Sequence, residues 1–550
     1  MFESLLTPTQ DARRNDVPLT SDTVSDLDIP VMARAMAHIA ATENDIVAVL
    51  GVLPQDEATI RYRQETVQSL WKDQALLSKL QDSVGPMREL TLFSRAQQEA
   101  RPLLEAVWRL GELELYVELV LTLGEALSAA AGRQALGGGL SRLLEELRQR
   151  GSDPMFVELA AELPSLRAGL KQHQSITLGI NLDNRLRPVE AALLSINEKP
   201  FREGQFLSGF FGAGGDPYVT QTPLHGTPQR SRDGVVYERL PLAPLFQELD
   251  TVMKSVLRPL ARRLRSYVSV NSEVFRRLSS EIAFFAAVIS HLKRLDADGY
   301  PMCFPSLRPA DERVAIFRNL YNLRLASHWM SEKAPNTMVR NDAVFDDSAR
   351  LHVLTGPNGG GKTTFTQAVG MAVALGQNGF PVPAEQAVLS PVDRLFTHFA
   401  GEEQISDEIG RFEEEARRLA AIFSDLSDRS MVLLNEPLSS TGPNEAEQIA
   451  GAVLCGLAAA GARGIFTTHF HHLASVAEGI GSASGSASGS ASGNTAIGTL
   501  NAGVRMIDGK AERTYRIESG PPSGHSYAED IAKRYGIDRD SLERRFGAPQ

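Results

Sequence analysis

The stretch "LTGPNGGGKTTF", Leu354 to Phe365, decides how this chain is read. The apolar run "ARLHVL" leads into it and reads as a strand, and "TTFTQAVGMAVALG" continues it as a helix. Gly356, Gly361, Lys362 and Thr363 satisfy the spacing G-x-x-x-x-G-K-[ST], in the strand-loop-helix context that this motif requires. Its glycines let successive backbone N–H groups turn inward around phosphate oxygens, and the helix N-terminus adds its dipole. The candidate cradle is Gly356, Pro357, Asn358, Gly359, Gly360, Gly361, Lys362, Thr363 and Thr364. Lys362 is expected at the β/γ-phosphates of ATP, and the Thr363 hydroxyl on Mg²⁺.

Such a site needs a second, acidic strand downstream, and "SMVLLNEPLSST" supplies one. Met431 to Leu434 form the apolar run, with Asn435 and Glu436 at its end. Phosphate-loop ATPases of the ABC type usually carry Asp-Glu here. The first acid orients the metal shell and the second polarises the attacking water. Asn435 is expected near Mg²⁺ without a charge of its own, which weakens metal binding, and Glu436 is expected to be catalytic. A third strand, "RGIFTTHFHHL", ends at His469, the expected γ-phosphate sensor. His469, His471 and His472 lack a nearby cysteine or acid to complete a metal set, so a phosphate-sensing role is the reading taken for His469.

The rest of the sequence bounds these readings. Its 550 residues suggest about three domains. A hydrophobic share of 43% and a charged share of 22% are those of a globular protein with a sizeable core. The two cysteines, Cys303 and Cys455, favour a reducing cytoplasm over a disulfide framework. No leader peptide is read at the N-terminus, and no uncharged apolar run reaches the length of a membrane helix, so no membrane partner is expected. A net charge of −11 argues against a uniformly basic nucleic-acid surface and leaves room for a local one.

Along the chain, residues 1–35 read as a polar, partly ordered segment and 36–174 as a helical core. In that core Leu115, Leu119, Leu123 and Leu127 share a helix face. Residues 175–240 read as a small β-containing insertion: Ile176, Leu178, Ile180 and Leu182 alternate as in a strand, "VEAALLSINEKP" is the candidate partner, and 203–235 read as loop. Residues 241–334 read as further core and lever helices. Among them Arg258, Arg262 and Arg265 line one face, which reads first as a solvated surface and second as a phosphate contact. Residues 335–550 alternate strands and helices as an α/β domain. Within it "GSASGSASGSASG", 481–493, is a flexible linker that reads equally as an engineered replacement or as native low complexity.

Together these motifs make the chain resemble the MutS family of mismatch-repair ATPases. "VLTGPNGGGKTTF" follows the family's TGPN-x-GGK-[ST]-T, and Gly379 to Ala384 follow its G-x-x-VPA turn. Asp393 to Thr397 follow its DR-[IL]-F-T strand, and "TTHFHHL" its TH-[YF]-HEL switch. "YRIESGPPSGHSYAEDIAKRYGI" resembles its C-terminal SYG motif, and Asn341-Asp342 the ND pair near its adenine. The resemblance is specific over about 335–540 and weaker over the helices, where "LPQDEATIRYRQETVQSL" is similar to the opening of the family's core.

The resemblance implies a C-terminal α/β ABC-type P-loop ATPase domain, preceded by a mainly α-helical core/lever region with a small β insertion. It implies ATP hydrolysis, homodimerisation through the ATPase domains, and switching on mismatched or branched DNA. Two further readings stay open: a ribosome- or RNA-associated ATPase of this family, and an ATP-driven switch that binds protein alone. A transporter subunit is disfavoured, since no LSGGQ-type motif is found. Besides Asn435, two departures stand out. The family's signature serine, which reaches a partner's γ-phosphate, is replaced by Gly410 in "GRFEEE", with Ser406 the nearest substitute. The N-terminal mismatch-reading domain is not recognised, and the chain is expected to open almost directly on core helices.

Overall fold

A computed structural model describes residues 2–9, 16–37, 39–96, 102–171, 175–182, 184, 188–197, 199, 273–334, 337–399, 411–438, 442–470, 472–473, 497–507, 510–520 and 535–546. The loop 203–235, the arginines 258, 262, 263 and 265, the signature residues Ser406 and Gly410, the linker 481–493 and residues 521–534 of the C-terminal motif lie outside them. The chain forms two compact units, each discontinuous in sequence. The first holds Met1–Val84, Ala126–Glu145 and Arg277–Gln550, and the second Gly85–Glu125 and Glu146–Arg276.

The first unit begins with β1 (Val17–Pro18) and three helices, α1 (Ser21–Asp26), α2 (Ile29–Met36) and α3 (Ala40–Leu50). This is more order than the composition of residues 1–35 implied. The reason is an apolar series hidden among polar residues: Leu27, Ile29, Met32, Ala33 and Met36 are all buried. Thr20 caps α1 by accepting from the Thr23 amide, and Asp26 accepts from Thr397 Oγ1 at 2.7 Å and the Phe399 amide at 3.2 Å. After β2 (Val52–Leu53), helix α4 (Glu57–Lys72) starts where Asp56 accepts from the amides of Ala58 and Thr59.

A four-stranded sheet comes next, from β5 (Ser306–Leu307), β6 (Ala315–Leu320), β7 (Asn341–Phe345) and β9 (Gln386–Leu389), in the order β5-β9-β6-β7. The larger sheet contains β8 (Leu351–Thr355), β10 (Leu395–Phe399), β11 (Met431–Asn435), β12 (Arg463–Thr467), β13 (Ile497–Ile507) and β14 (Lys510–Ser519). Its order is β10-β11-β12-β8-β13-β14. The first five strands are parallel, and β14 returns antiparallel to β13. Every residue of β8, β10, β11 and β12 is buried, as expected of parallel strands covered on both faces. Val353, Val432, Leu434 and Phe466 form one core with Ala450, Leu454 and Leu457 of the helix Pro443–Ala460. Each fully buried aliphatic side chain there contributes about 1.5–3 kcal/mol.

The helix Lys362–Gln377 follows β8 and is buried nearly all round. A methyl group on Gly370 would lie 2.5 Å from Leu27 and 2.9 Å from Leu433, so the N-terminal segment and β11 grip this helix from two sides. Its far end is tied to the start of the chain. Gln377 donates to Pro54 O and Val392 O, Asn378 donates to Val52 O, and the buried Arg63 of α4 donates to Asn378 Oδ1 at 2.6 Å. At Gly379, φ is +83° and a Cβ would fall 2.6 Å from the Gln64 amide nitrogen, so only glycine makes this turn.

In the second unit the alternation at Ile176–Leu182 becomes a strand, β3 (Ser175–Leu182), paired antiparallel with β4 (Pro188–Asn197). Tyr116 stacks edge-on against Phe156 and Phe275, and Arg150 bonds Glu146 and the Tyr116 hydroxyl. Among the described residues one stretch, Arg109–Arg133, is long and apolar enough to cross a membrane by length and composition. Its Leu113, Leu119, Leu123 and Leu127 are buried in the protein, as in a core helix. Both cysteines are free, and burial pushes the Cys303 thiol up to about 12.

Candidate nucleotide site

The register of the parallel strands brings the sequence motifs to one edge. Asn435, the last residue of β11, pairs with Thr467 at the end of β12, and Thr467 pairs with Leu354 of β8. The loop Gly356–Gly361 leaves β8 at this edge, where ligands of parallel α/β sheets sit. Gly356 adopts φ +134°, and a Cβ there would lie 2.7 Å from the Ala502 methyl, so β13 closes one flank of the loop. Asn358 and Gly359 stand exposed at the tip.

Lys362 turns back under the loop and donates to Gly356 O at 2.8 Å and Pro357 O at 3.1 Å. Its Nζ lies 3.5 Å from Glu436 Oε1. Burial pulls the ammonium below its ordinary value, and the Glu436 carboxylate opposes that pull. Thr363 Oγ1 donates to Asn435 Oδ1 at 3.0 Å, so two neutral oxygens meet where the metal was expected. Thr364 faces the neighbouring helix Leu323–Glu332, whose cap Asn322 donates to the Thr364 carbonyl at 3.0 Å.

Glu436 follows β11 directly and adopts a left-handed φ of +53°, with its amide donating to Thr467 O. Such a conformation in a residue other than glycine costs on the order of 1–3 kcal/mol and clusters at functional positions. His469 Nε2 donates to Glu436 Oε1 at 2.7 Å. That hydrogen bond, followed by the charges of His469 and Lys362, holds the carboxyl below its ordinary value although burial pushes it up. Lys362 and His469 thus both meet Glu436, and Thr363 meets Asn435, the residue before Glu436 in the chain. His471 lies outside the described residues.

A cavity of about 560 Å³ opens beside the loop, lined by Trp329, Asn341, Thr363, Glu436 and Tyr515 among others. Two of its residues open sequence motifs, Asn341 the ND pair and Tyr515 the C-terminal stretch, and neither motif announced their contact. Tyr515, on β14, faces Gly361 with a left-handed φ of +56°. Asn341 holds that strand in place, donating to Tyr515 O at 3.0 Å and accepting from the Ile517 amide at 2.8 Å. Asp342, beside it, is engaged by Arg318 and the Asn319 amide instead. Neither the ND pair nor the C-terminal motif carried a pointer to a partner more than 170 residues away.

The parallel sheet, with its glycine loop and strand ends gathered at one edge, lies in a stretch, residues 352–523, that matches MutS domain V. Residues 55–298 match the MutS2 N-terminal domain. The chain belongs to the MutS family. It is 27% identical over 539 residues to Endonuclease MutS2 of Thermus thermophilus, an alignment covering 95% of this chain and 65% of that protein. Endonuclease MutS2 of Enterococcus faecalis is 30% identical over 74% of this chain and 48% of its own length. DNA mismatch repair protein MutS of Thermotoga neapolitana is 30% identical over 40% of this chain and 26% of its own. The chain thus spans less than two thirds of the length of these relatives.

Proposed function

We propose that this chain is an ATP hydrolase whose nucleotide state drives conformational switching on DNA. The observation that carries the reading is the convergence of Lys362, Thr363–Asn435 and Glu436–His469 on the loop Gly356–Gly361. The reaction is ATP + H₂O → ADP + phosphate, on an ABC-type P-loop. The loop amides and Lys362 hold the β/γ-phosphates. Glu436 polarises the attacking water, and His469 fixes the carboxylate that does so. Thr363 Oγ1 and Asn435 Oδ1, 3.0 Å apart, suit Mg²⁺, which takes oxygen ligands and keeps several of its waters. When bound, the ion neutralises charge on the β- and γ-phosphate oxygens. Thr363 would ligate it directly, and Asn435 would accept from one of its waters.

DNA is the proposed partner because the chain belongs to the MutS family and a relative is named for DNA mismatch repair. Homodimerisation through the ATPase domains is proposed on the same ground. The helix Arg411–Ser424, next to the signature segment, is the element that would face the second copy.

The test is phosphate release with Mg²⁺, with and without mismatched or branched duplex, for the unaltered chain and for Lys362→Ala. The substitution should abolish ATP binding and turnover, because the phosphates lose their main cation. Unchanged turnover would remove the site. DNA affinity should fall steeply across a salt series, as phosphate contacts require. Absence of DNA binding at low salt would favour the protein-binding switch.

A further inference from the structure

The hairpin β13–β14 is irregular where it passes the glycine loop. Ala502 pairs with Ile517 and Val504 pairs with Arg513, so one residue, Gly503, faces the three residues Thr514, Tyr515 and Arg516. Thr514 Oγ1 fills the gap by donating to Gly503 O at 2.9 Å, and Tyr515 takes its left-handed φ at this point. Asn341 clamps both sides of the kink through Tyr515 O and the Ile517 amide. Bulges of this kind bend a strand and re-aim its side chains, and strained backbone held by such a clamp gathers at functional sites. Here the re-aimed side chains reach the loop. A methyl group on Gly359 would lie 2.8 Å from Arg513 Nη1 and 2.9 Å from its Cζ, while one on Gly361 would lie 3.6 Å from the Tyr515 ring.

We propose that Arg513 is a second phosphate-binding cation of the site, contacting the terminal phosphate of ATP from within the same chain. Lys362 lies beneath the loop, bonded to Gly356 O and Pro357 O, while the Arg513 guanidinium lies against the exposed loop tip. The two cations thus approach the loop from different sides. A planar fork of N–H donors suits phosphate oxygens better than an ammonium point charge does. An arginine placed in cis makes this contact without a second copy. The assignment rests on the ATP-site reading above and extends it to how the site tells ATP from ADP.

The experiment compares equilibrium binding of a non-hydrolysable ATP analogue and of ADP, both with Mg²⁺, for the unaltered chain, Arg513→Ala and Arg513→Lys. Loss of a charge-assisted contact to the third phosphate should weaken the analogue about ten- to a hundredfold. ADP should change by less than about threefold, as it lacks that phosphate, and lysine should restore part of the loss. The discrimination should hold at concentrations where sedimentation finds only monomer, because the contact is made in cis. Equal weakening of both nucleotides would make Arg513 a buttress of the loop and overturn the assignment, as would an unchanged analogue affinity. A discrimination found only in the dimer would overturn the cis contact. If the unaltered chain binds neither nucleotide, the ATP-site reading itself falls and takes this assignment with it.

Discussion

Replacing Glu436 by Gln removes one negative charge and leaves its shape. Gln can still accept from His469 Nε2, now 2.7 Å from the carboxylate, so the side chain should stay in place. Two effects of opposite sign follow. The attacking water loses its base, and loss of a general base costs about 10²–10⁴-fold, or about 3–5 kcal/mol in the barrier. Meanwhile ATP no longer meets a carboxylate 3.5 Å from Lys362. A charge pair at that separation is worth on the order of 4 kcal/mol at an effective dielectric of 20, and less in a partly wetted site. Recovering even a third of it would tighten ATP binding about tenfold.

Single-turnover phosphate release with enzyme in excess, alongside equilibrium ATP binding, reads both effects. Hydrolysis within threefold of the unaltered chain would refute the role of Glu436. Weakened ATP binding in step with lost hydrolysis would refute the charge argument and point to a distorted site. The pH dependence is a further check. Glu436 is held below its ordinary 4.5, so its linked stability is fully present above that pH and disappears as pH falls through its folded value. The Gln variant should lack that acid-side loss.

Asn435→Asp adds a charge beside Thr363, 3.0 Å away, and should shift half-maximal ATPase to lower Mg²⁺; an unmoved Mg²⁺ titration would separate Asn435 from the metal. Arg463→Met leaves the carbonyls of Ser390, Pro391 and Arg429 without their buried donor and should destabilise the first unit by about 3–5 kcal/mol in chemical denaturation, less the relief of a guanidinium that burial pulls down to about 10. A loss below 1 kcal/mol would mean that water replaces it.

The strand-loop-helix at Leu354–Phe365 was legible because its information is local: an apolar run, glycines at fixed offsets, then a helical period. Asn435, Glu436 and His469 were legible because parallel strands present their ends at one edge. Tyr515 and Arg513 were not, since a strand residue's partner across the sheet is set by register, and here the register itself shifts at Gly503. The N-terminal helices were obscured by composition: within 1–35, "DTVSDLDIPVMARA" reads as polar until its apolar positions are counted along a helix. Nor does linear reading find the compact units, because the helices Pro102–Arg133, Gly138–Gly151 and Glu273–Ala297 each contribute residues to both.

The helix that begins at Lys362 ends in the bonds of Gln377 and Asn378 to Val52, Pro54 and Arg63. It is 16 residues long, about 24 Å, and beyond the exposed Thr363 and Thr364 it is almost wholly buried. Packing on both sides of Gly370 leaves a displacement of its first turn little room to be absorbed on the way along this strut. A change that phosphate binding makes at Gly361 is expected to be felt at Val52–Gln64, where the match to the MutS2 N-terminal domain begins. Amide exchange in Val52–Gln64 should change with the nucleotide present, and Arg63→Ala should uncouple the two without altering nucleotide affinity. Exchange there that ignores nucleotide would show that the strut bears no load.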